Sequence, residues 1–145
     1  LGAAIADPSR KVVCLAGDGS IMMNIQELET LANWNADVLI IVLDNDGYLS
    51  IKQTQQNFFG HDHGASPKSG ITFPDFEKIA MAFGFAYTQT SDHSDMRGAI
   101  SKTLIADGPA ICEIFVDKEQ AFAPKLDLRN QELHRQDLRK SGLHL

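Results

Sequence analysis

Three apolar runs, Lys11–Ala16, Val38–Leu43 and Pro109–Val116, constrain this chain more than any other feature. Strands covered on both faces of a parallel sheet read as near-continuous hydrophobic segments, whereas strands with one wet face alternate. A shorter strand is expected at Phe85–Gln89. Between the runs the period changes to that of a helix. Ile21, Ile25, Leu28 and Leu31 recur at spacings of three and four, which predicts one apolar face along a crossover helix Met23–Asn33, with Gln26, Glu29 and Asn33 elsewhere. Phe76, Ile79, Ala80 and Phe83 repeat that pattern, opened by Pro74-Asp75 and closed by Gly84. A further helix is expected from Ser94 to Ala106, before the Asp107-Gly108-Pro109 break. Strands alternating with helices imply βαβ units, and so an α/β fold with a doubly wound, mostly parallel sheet carrying helices on both faces.

A chain of 145 residues is about one domain, able to bury roughly two thirds of its unfolded surface. We expect residues 1–116 to form that domain and 117–145 a charged tail: 11 of those 29 residues are ionic, and an amphipathic-looking Leu126–Leu138 is expected to pack on a neighbouring domain or fray. Phe58–Pro74, 17 residues rich in Gly and Pro, is longer than most connections inside a compact domain. It reads as a lid or substrate loop, with a disordered insertion as the alternative. No apolar run approaches the roughly 20 residues of a membrane span, and no secretory signal is visible. Cys14 and Cys112 lie in strand-like runs and read as small core hydrophobes, which suits a reducing, cytoplasmic setting. A net charge of −6 and a pI near 5.2 argue against a nucleic-acid surface. An anionic ligand would then need a local device, such as a metal or backbone N–H groups.

Two glycine-flanked acidic turns supply such a device. Gly17-Asp18-Gly19 and Asp44-Asn45-Asp46-Gly47 end the first two runs, 27 positions apart from Asp18 to Asn45. If those runs are neighbouring parallel strands, a right-handed crossover sets their carboxyl ends side by side, where open α/β sheets bind ligands. Mg²⁺ prefers six oxygens and is usually held by one or two carboxylates, water and substrate phosphates. Asp18 offers a carboxylate oxygen, Asn45 a carboxamide oxygen and the Asp46-Gly47 turn a backbone carbonyl, leaving places for two diphosphate oxygens and a water. Gly17 and Gly19 allow close backbone approach, and the Gly19-Ser20 amides at the start of the next helix add an anion site. Either turn alone is weak, since such tetrapeptides also form ordinary Asx turns. A calcium loop does not fit: position 12 counted from Asp44 is Gln55 rather than Glu, and the preceding segment is strand-like.

The paired pattern, with 24 residues between Gly19 and Asp44, resembles the cofactor signature of thiamine-diphosphate-dependent enzymes. "GDGSIMMNIQELETL", "DNDGYLSIKQTQ" and "FPDFEKIAMAFGF" are similar to the acetolactate-synthase-like branch, and Leu1–Ala6 resembles the end of the small-residue helix before the signature. The resemblance implies thiamine diphosphate and Mg²⁺ as cofactors, with Asp18, Asn45 and the Gly47 carbonyl as metal ligands. It places Gly17, Gly19 and Ser20 at the diphosphate, and Tyr48 just past the metal turn. Asp44 stands for the first Asn of the usual pair. Ile51 occupies the position of a catalytic Glu in the pyruvate-decarboxylase branch, which argues against that branch. The implied activity is decarboxylation of a 2-oxo acid followed by carboligation, in a homo-oligomer, dimer or tetramer. The catalytic Glu that activates the cofactor is expected on a pyrimidine-binding domain of the same or another subunit, so this piece alone is expected to bind but not turn over. Simple 2-oxo-acid decarboxylation, a separately encoded subunit and a flavodoxin-like Mg²⁺–phosphate module are the alternatives.

Other residues carry weaker signals. His61 and His63 lack a third ligand in sequence and read as solvated; Phe58, Phe59 and His61 are alternative substrate contacts. Tyr48 and Gln53 fit either the thiazolium side of a cofactor or plain helix packing. Met22 and Met23 fit core or cofactor equally. Trp34 is expected to pack at a helix end, and His93 to take part in local capping.

Overall fold

The computed structural model describes residues 1–120. Four strands, β1 (Val12–Gly17), β2 (Val38–Asp44), β3 (Ala86–Thr90) and β4 (Ala110–Phe115), form one sheet in the order β1-β2-β4-β3. Every pairing is parallel. Helices α1 (Gly2–Ala6), α2 (Asp18–Met22), α3 (Glu27–Asn33), α4 (Leu49–Phe59), α5 (Phe76–Phe83) and α6 (His93–Leu104) complete the α/β fold. Ile21, Leu28, Leu31, Phe76 and Ala80 bring α2, α3 and α5 onto one face against Val38, Ile40, Val42 and Ile111. Met96, Ala99 and Ile100 bring α6 onto the other face against Leu39, Ile41 and Cys112. Helices thus lie on both faces of the sheet, as the apolar runs predict, with Val13 and Leu15 of β1 left uncovered on the α6 side; each fully buried Leu or Ile side chain contributes about 1.5–3 kcal/mol.

Helix ends follow their local chemistry. Asp75 caps α5 by accepting the Lys78 N–H, and Gly84 closes it in the left-handed region at φ 73°. At α6 the cap is Asp92, which accepts the Ser94 N–H, and His93 is merely the first helical residue; the capping role expected of His93 belongs to its neighbour.

Three further expectations are corrected. The crossover is not one helix over Met23–Asn33 but α2 and α3 joined by tight turns, in which Asn24, Glu27 and Leu28 donate to carbonyls only three residues back. Ile21, Leu28 and Leu31 still reach the core, because three-residue spacing keeps them on one side. Trp34 does not pack at the end of α3; it is 60% exposed. Cys112 is buried as expected, but Cys14 is exposed. β1 is an edge strand, and Val13 and Leu15 beside Cys14 are 48% and 69% exposed. The opposite edge, β3, instead carries Tyr87, Thr88 and Gln89.

The segment after α4 is tied down rather than a disordered insertion. Phe58 and Phe59 belong to α4, and Pro67–Ser69 forms a 3-10 turn closed by reciprocal bonds between Ser66 and Ser69. The Ser66 hydroxyl donates to Asp62, and the His63 N–H donates to Gln55 Oε1. Residues 121–145, including the amphipathic stretch Leu126–Leu138, lie outside the described residues. Among the described residues no helix is long and apolar enough to cross a membrane.

Candidate functional site

The pairing of Gly17 with Leu43 sets the ends of β1 and β2 level, so the chain leaves both strands at the same height. Asp18 opens α2 directly after β1 and is 1% exposed. Its Oδ1 accepts the Gly19 N–H at 2.6 Å, and its Oδ2 accepts the Gly47 N–H at 2.9 Å. The second bond joins the two turns across 29 positions of sequence. Burial pushes the Asp18 carboxyl up to about 6; the two N–H groups pull against this, and the Asp44 carboxyl beside it adds to it.

Packing joins the turns as well. A Cβ on Gly19 would fall inside the ring of Tyr48, so only glycine lets that ring lie on the first turn. Tyr48 precedes α4, and its ring meets Phe73 edge-on at 5.6 Å. Asp44 Oδ1 accepts the Asp46 N–H at 2.8 Å, an Asx turn that lets Asp46 adopt φ 58°. Above Gly47 lies the Ala65 carbonyl, which accepts the Tyr48 N–H at 2.9 Å. The second turn is therefore roofed by the loop that follows α4. Lys118, just after β4, reaches Asp46 at 2.7 Å, and Glu119 reaches Lys52 of α4 at 2.7 Å. A cavity of about 540 Å³ opens beside these groups, with Asn45, Gly47, Lys52, Ser66 and Lys118 in its wall.

One polar atom in this arrangement has no protein partner. Asn45 Oδ1 is buried and accepts no hydrogen bond among the described residues. An orphaned acceptor costs about 1–3 kcal/mol, and here it stands in the turn bonded to a buried carboxylate. Both groups are better satisfied by a cation. No three His, Cys, Asp or Glu side chains cluster to hold a metal among the described residues. A hard cation at the two turns would then draw on one carboxylate, one carboxamide, backbone and oxygens of a bound anion, a set that suits Mg²⁺ with a phosphate group.

The structure brings together Asp18, Gly19, Asn45, Gly47 and Tyr48. Gly17 precedes α2 in extended conformation, and Ser20 is exposed on α2, a helix of five residues. Met22 packs against the core while Met23 is exposed, which separates two residues that sequence leaves equivalent. Gln53 Oε1 is a second buried acceptor without a partner. His61 and His63 are exposed, ring against ring at 4.8 Å, and Phe58 and Phe59 are exposed at the end of α4.

One residue escapes sequence reasoning. Glu113 lies in the middle of β4, 4% exposed, where its register with Val42 turns it to the same face as Asp44. The Tyr87 hydroxyl donates to its Oε2. Burial pushes Glu113 up to about 7, the Tyr87 bond lowers it, and the Asp44 carboxyl within hydrogen-bond reach raises it further. The Tyr87 phenol is pushed well up by burial and by Glu113. The available signal was a single acid inside an apolar strand, "AICEIF".

Comparison with known proteins bears on what such a site holds. The family model described as "Thiamine pyrophosphate enzyme, C-terminal TPP binding domain" matches residues 1–114. The chain is 34% identical over 124 residues to the acetolactate synthase isozyme 1 large subunit of Escherichia coli (strain K12), covering 86% of this chain and 22% of that protein. It is 32% identical over 123 residues to a probable acetolactate synthase large subunit of Methanococcus aeolicus, covering 85% and 20%. Among solved structures, a thiamine diphosphate-dependent 4-hydroxybenzoylformate decarboxylase of Rhodococcus jostii RHA1 superposes with a TM-score of 0.71 at 28% identity, covering 83% of this chain and 22% of that one. The chain thus spans about a fifth of the length of the relatives it matches.

Proposed function

The chain belongs to the thiamine pyrophosphate enzyme family, as a C-terminal TPP-binding domain, and on that premise we propose that its two joined turns hold the diphosphate of thiamine diphosphate through Mg²⁺. The observation that carries this is the buried, unpartnered Asn45 Oδ1 in the turn bonded to the buried Asp18 carboxylate. Asp18, Asn45 and the Gly47 carbonyl would be the protein's metal ligands. Gly17, Gly19 and Ser20 would face the diphosphate, and Tyr48 would border the cofactor. The neutral carboxamide suits a ligand that already brings negative charge, and the metal lets an acidic chain hold an anion.

Thiamine diphosphate, when bound, supplies the electron sink for chemistry on 2-oxo acids, while the protein supplies binding, orientation and electrostatics. What this chain's residues do is narrower. Asp18 compensates the cation from a site shielded from water, where its charge is weakly screened. Gly19 gives the Tyr48 ring its seat, and the Ala65 carbonyl holds the Tyr48 backbone beside the metal turn. Similarity to acetolactate synthase large subunits supports a parent enzyme that decarboxylates a 2-oxo acid and then joins the product to an acceptor. Likeness to a 4-hydroxybenzoylformate decarboxylase supports plain decarboxylation as the second reading. Either activity needs the group that activates the cofactor, which we place on a pyrimidine-binding domain of the same or another subunit in a cytoplasmic homo-oligomer.

The test is calorimetric titration of thiamine diphosphate into this chain with and without Mg²⁺, and into Asp18→Ala. We expect binding that requires Mg²⁺ and is lost in the variant. Equal binding by wild type and Asp18→Ala would remove the two-turn site. Release of CO₂ from pyruvate by the 145-residue chain alone would refute the assignment of activation to another domain.

A further inference from the structure

Glu113 is not explained by the cofactor site as drawn above. It occupies β4, paired on one side with β2 and on the other with β3, in a strand whose other residues are apolar. A carboxyl group so buried is costly unless each oxygen finds a partner. One partner is the Tyr87 hydroxyl, donated from β3. The other is the Asp44 carboxyl, two residues beyond Val42, the β2 partner of Glu113, and on the same face of the sheet. Asp44 lies within hydrogen-bond reach of Asp18 as well, so Glu113, Asp44 and Asp18 form one row of carboxyl groups behind the two turns. Asp44 in turn accepts the Asp46 N–H, the bond that shapes the turn carrying Asn45 and Gly47.

We propose that Glu113 is a positioning residue for the metal turn: clamped by Tyr87, it meets the Asp44 carboxyl from behind and so fixes the side chain around which the Asp44–Gly47 turn is wound. This rests on the reading of the two turns as a Mg²⁺–diphosphate site. Groups that orient metal ligands from behind typically change metal affinity about 10- to 100-fold when removed. The proposal also specifies the chemistry required. Gln at 113 keeps a donor for Asp44 and an acceptor for Tyr87; Ala keeps neither.

The experiment measures Mn²⁺ retained with the 145-residue chain at equilibrium dialysis against Mn²⁺ and inorganic diphosphate, over a diphosphate-only blank, well below each melting temperature. Wild type, Glu113→Gln, Glu113→Ala, Tyr87→Phe and the packing control Ile111→Val are compared. We expect Glu113→Ala to weaken uptake about 10- to 100-fold, Glu113→Gln to stay close to wild type, and Ile111→Val to lower the melting temperature without changing uptake. Should Glu113→Ala not fold, Tyr87→Phe carries the test, with a several-fold loss expected. Wild-type affinity in Glu113→Ala or in Tyr87→Phe would overturn the inference, as would a loss in Glu113→Gln as large as in Ala. A wild-type chain that takes up no metal would overturn the two-turn reading itself, and this inference with it.

Discussion

The two turns that meet at the ends of β1 and β2 are built by opposite means. The first is largely local: Gly17-Asp18-Gly19 passes from strand to helix within three residues, and the distant groups it meets are the Gly47 N–H, the Asp44 carboxyl and the Tyr48 ring. The second is assembled from afar. The Ala65 carbonyl roofs it, Lys118 pairs with Asp46, and Glu113 and Tyr87 stand behind Asp44. A turn that carries its own instructions is robust to changes elsewhere. A turn shaped by other segments inherits their weaknesses, and offers places from which binding can be altered without touching a ligand.

Glycine substitution should break this symmetry most visibly. A Cβ on Gly47 would lie 2.7 Å from the Ala65 oxygen, a backbone atom that cannot swing aside. Gly47→Ala is expected to lose about 1–3 kcal/mol of stability, through overpacking and the strained Tyr48–Ala65 bond, and to weaken metal uptake. Gly19→Ala meets a side-chain ring instead, which can rotate away. Its loss should be smaller, and paired melts of the two variants decide the order.

Acidity is a gentler probe. The folded value of Glu113 is raised to about 7 from an ordinary 4.5, so across that window the folded chain holds the proton more tightly than the unfolded one. Stability from this group is therefore fully present below about 4.5 and is lost as pH rises through about 7, flattening above that. Melting temperature in the absence of metal should fall over that range. Glu113→Gln should flatten the slope without abolishing it, because Asp18 is raised in the same direction. An identical slope in the variant would mean that another group titrates there.

The least effect is expected from Lys118→Ala. Its pair with Asp46 is largely in water, and such pairs contribute about 0–1 kcal/mol. Melting should be almost unchanged, and a large drop would show the segment after β4 to be a structural part of the second turn.

Legibility in the sequence follows the same division. The strands and the first turn were readable because hydrophobic runs and a glycine-flanked acid act through neighbours in sequence. Asn45 and Gly47 were readable as residues, but the roof over them was not, since nothing near Ala65 announces a carbonyl aimed at position 48. Glu113 passed unnoticed because one acid in an apolar strand looks like a boundary or an exception until the neighbouring strands bring Tyr87 and Asp44 to it. Cys14 was misplaced for a related reason: an apolar run predicts a strand fit for burial, not whether anything lies over it. The break between α2 and α3 left no mark either, because its tight turns preserve the spacing that signals a helix.

The open edge of β1 has a practical meaning for anyone handling this chain. Among the described residues its outer row of N–H and C=O groups has no strand beside it, and Val13, Cys14 and Leu15 expose apolar surface there without a charged residue among them. Such an edge is a template for strand addition between molecules, and thus for clumping at high concentration. The thiol of Cys14 adds a route to covalent cross-linking in air. Solubility of the isolated chain is therefore governed by a strand that also ends in Gly17 and delivers Asp18, so a remedy belongs at Leu15, whose side chain faces outward, rather than nearer the turn.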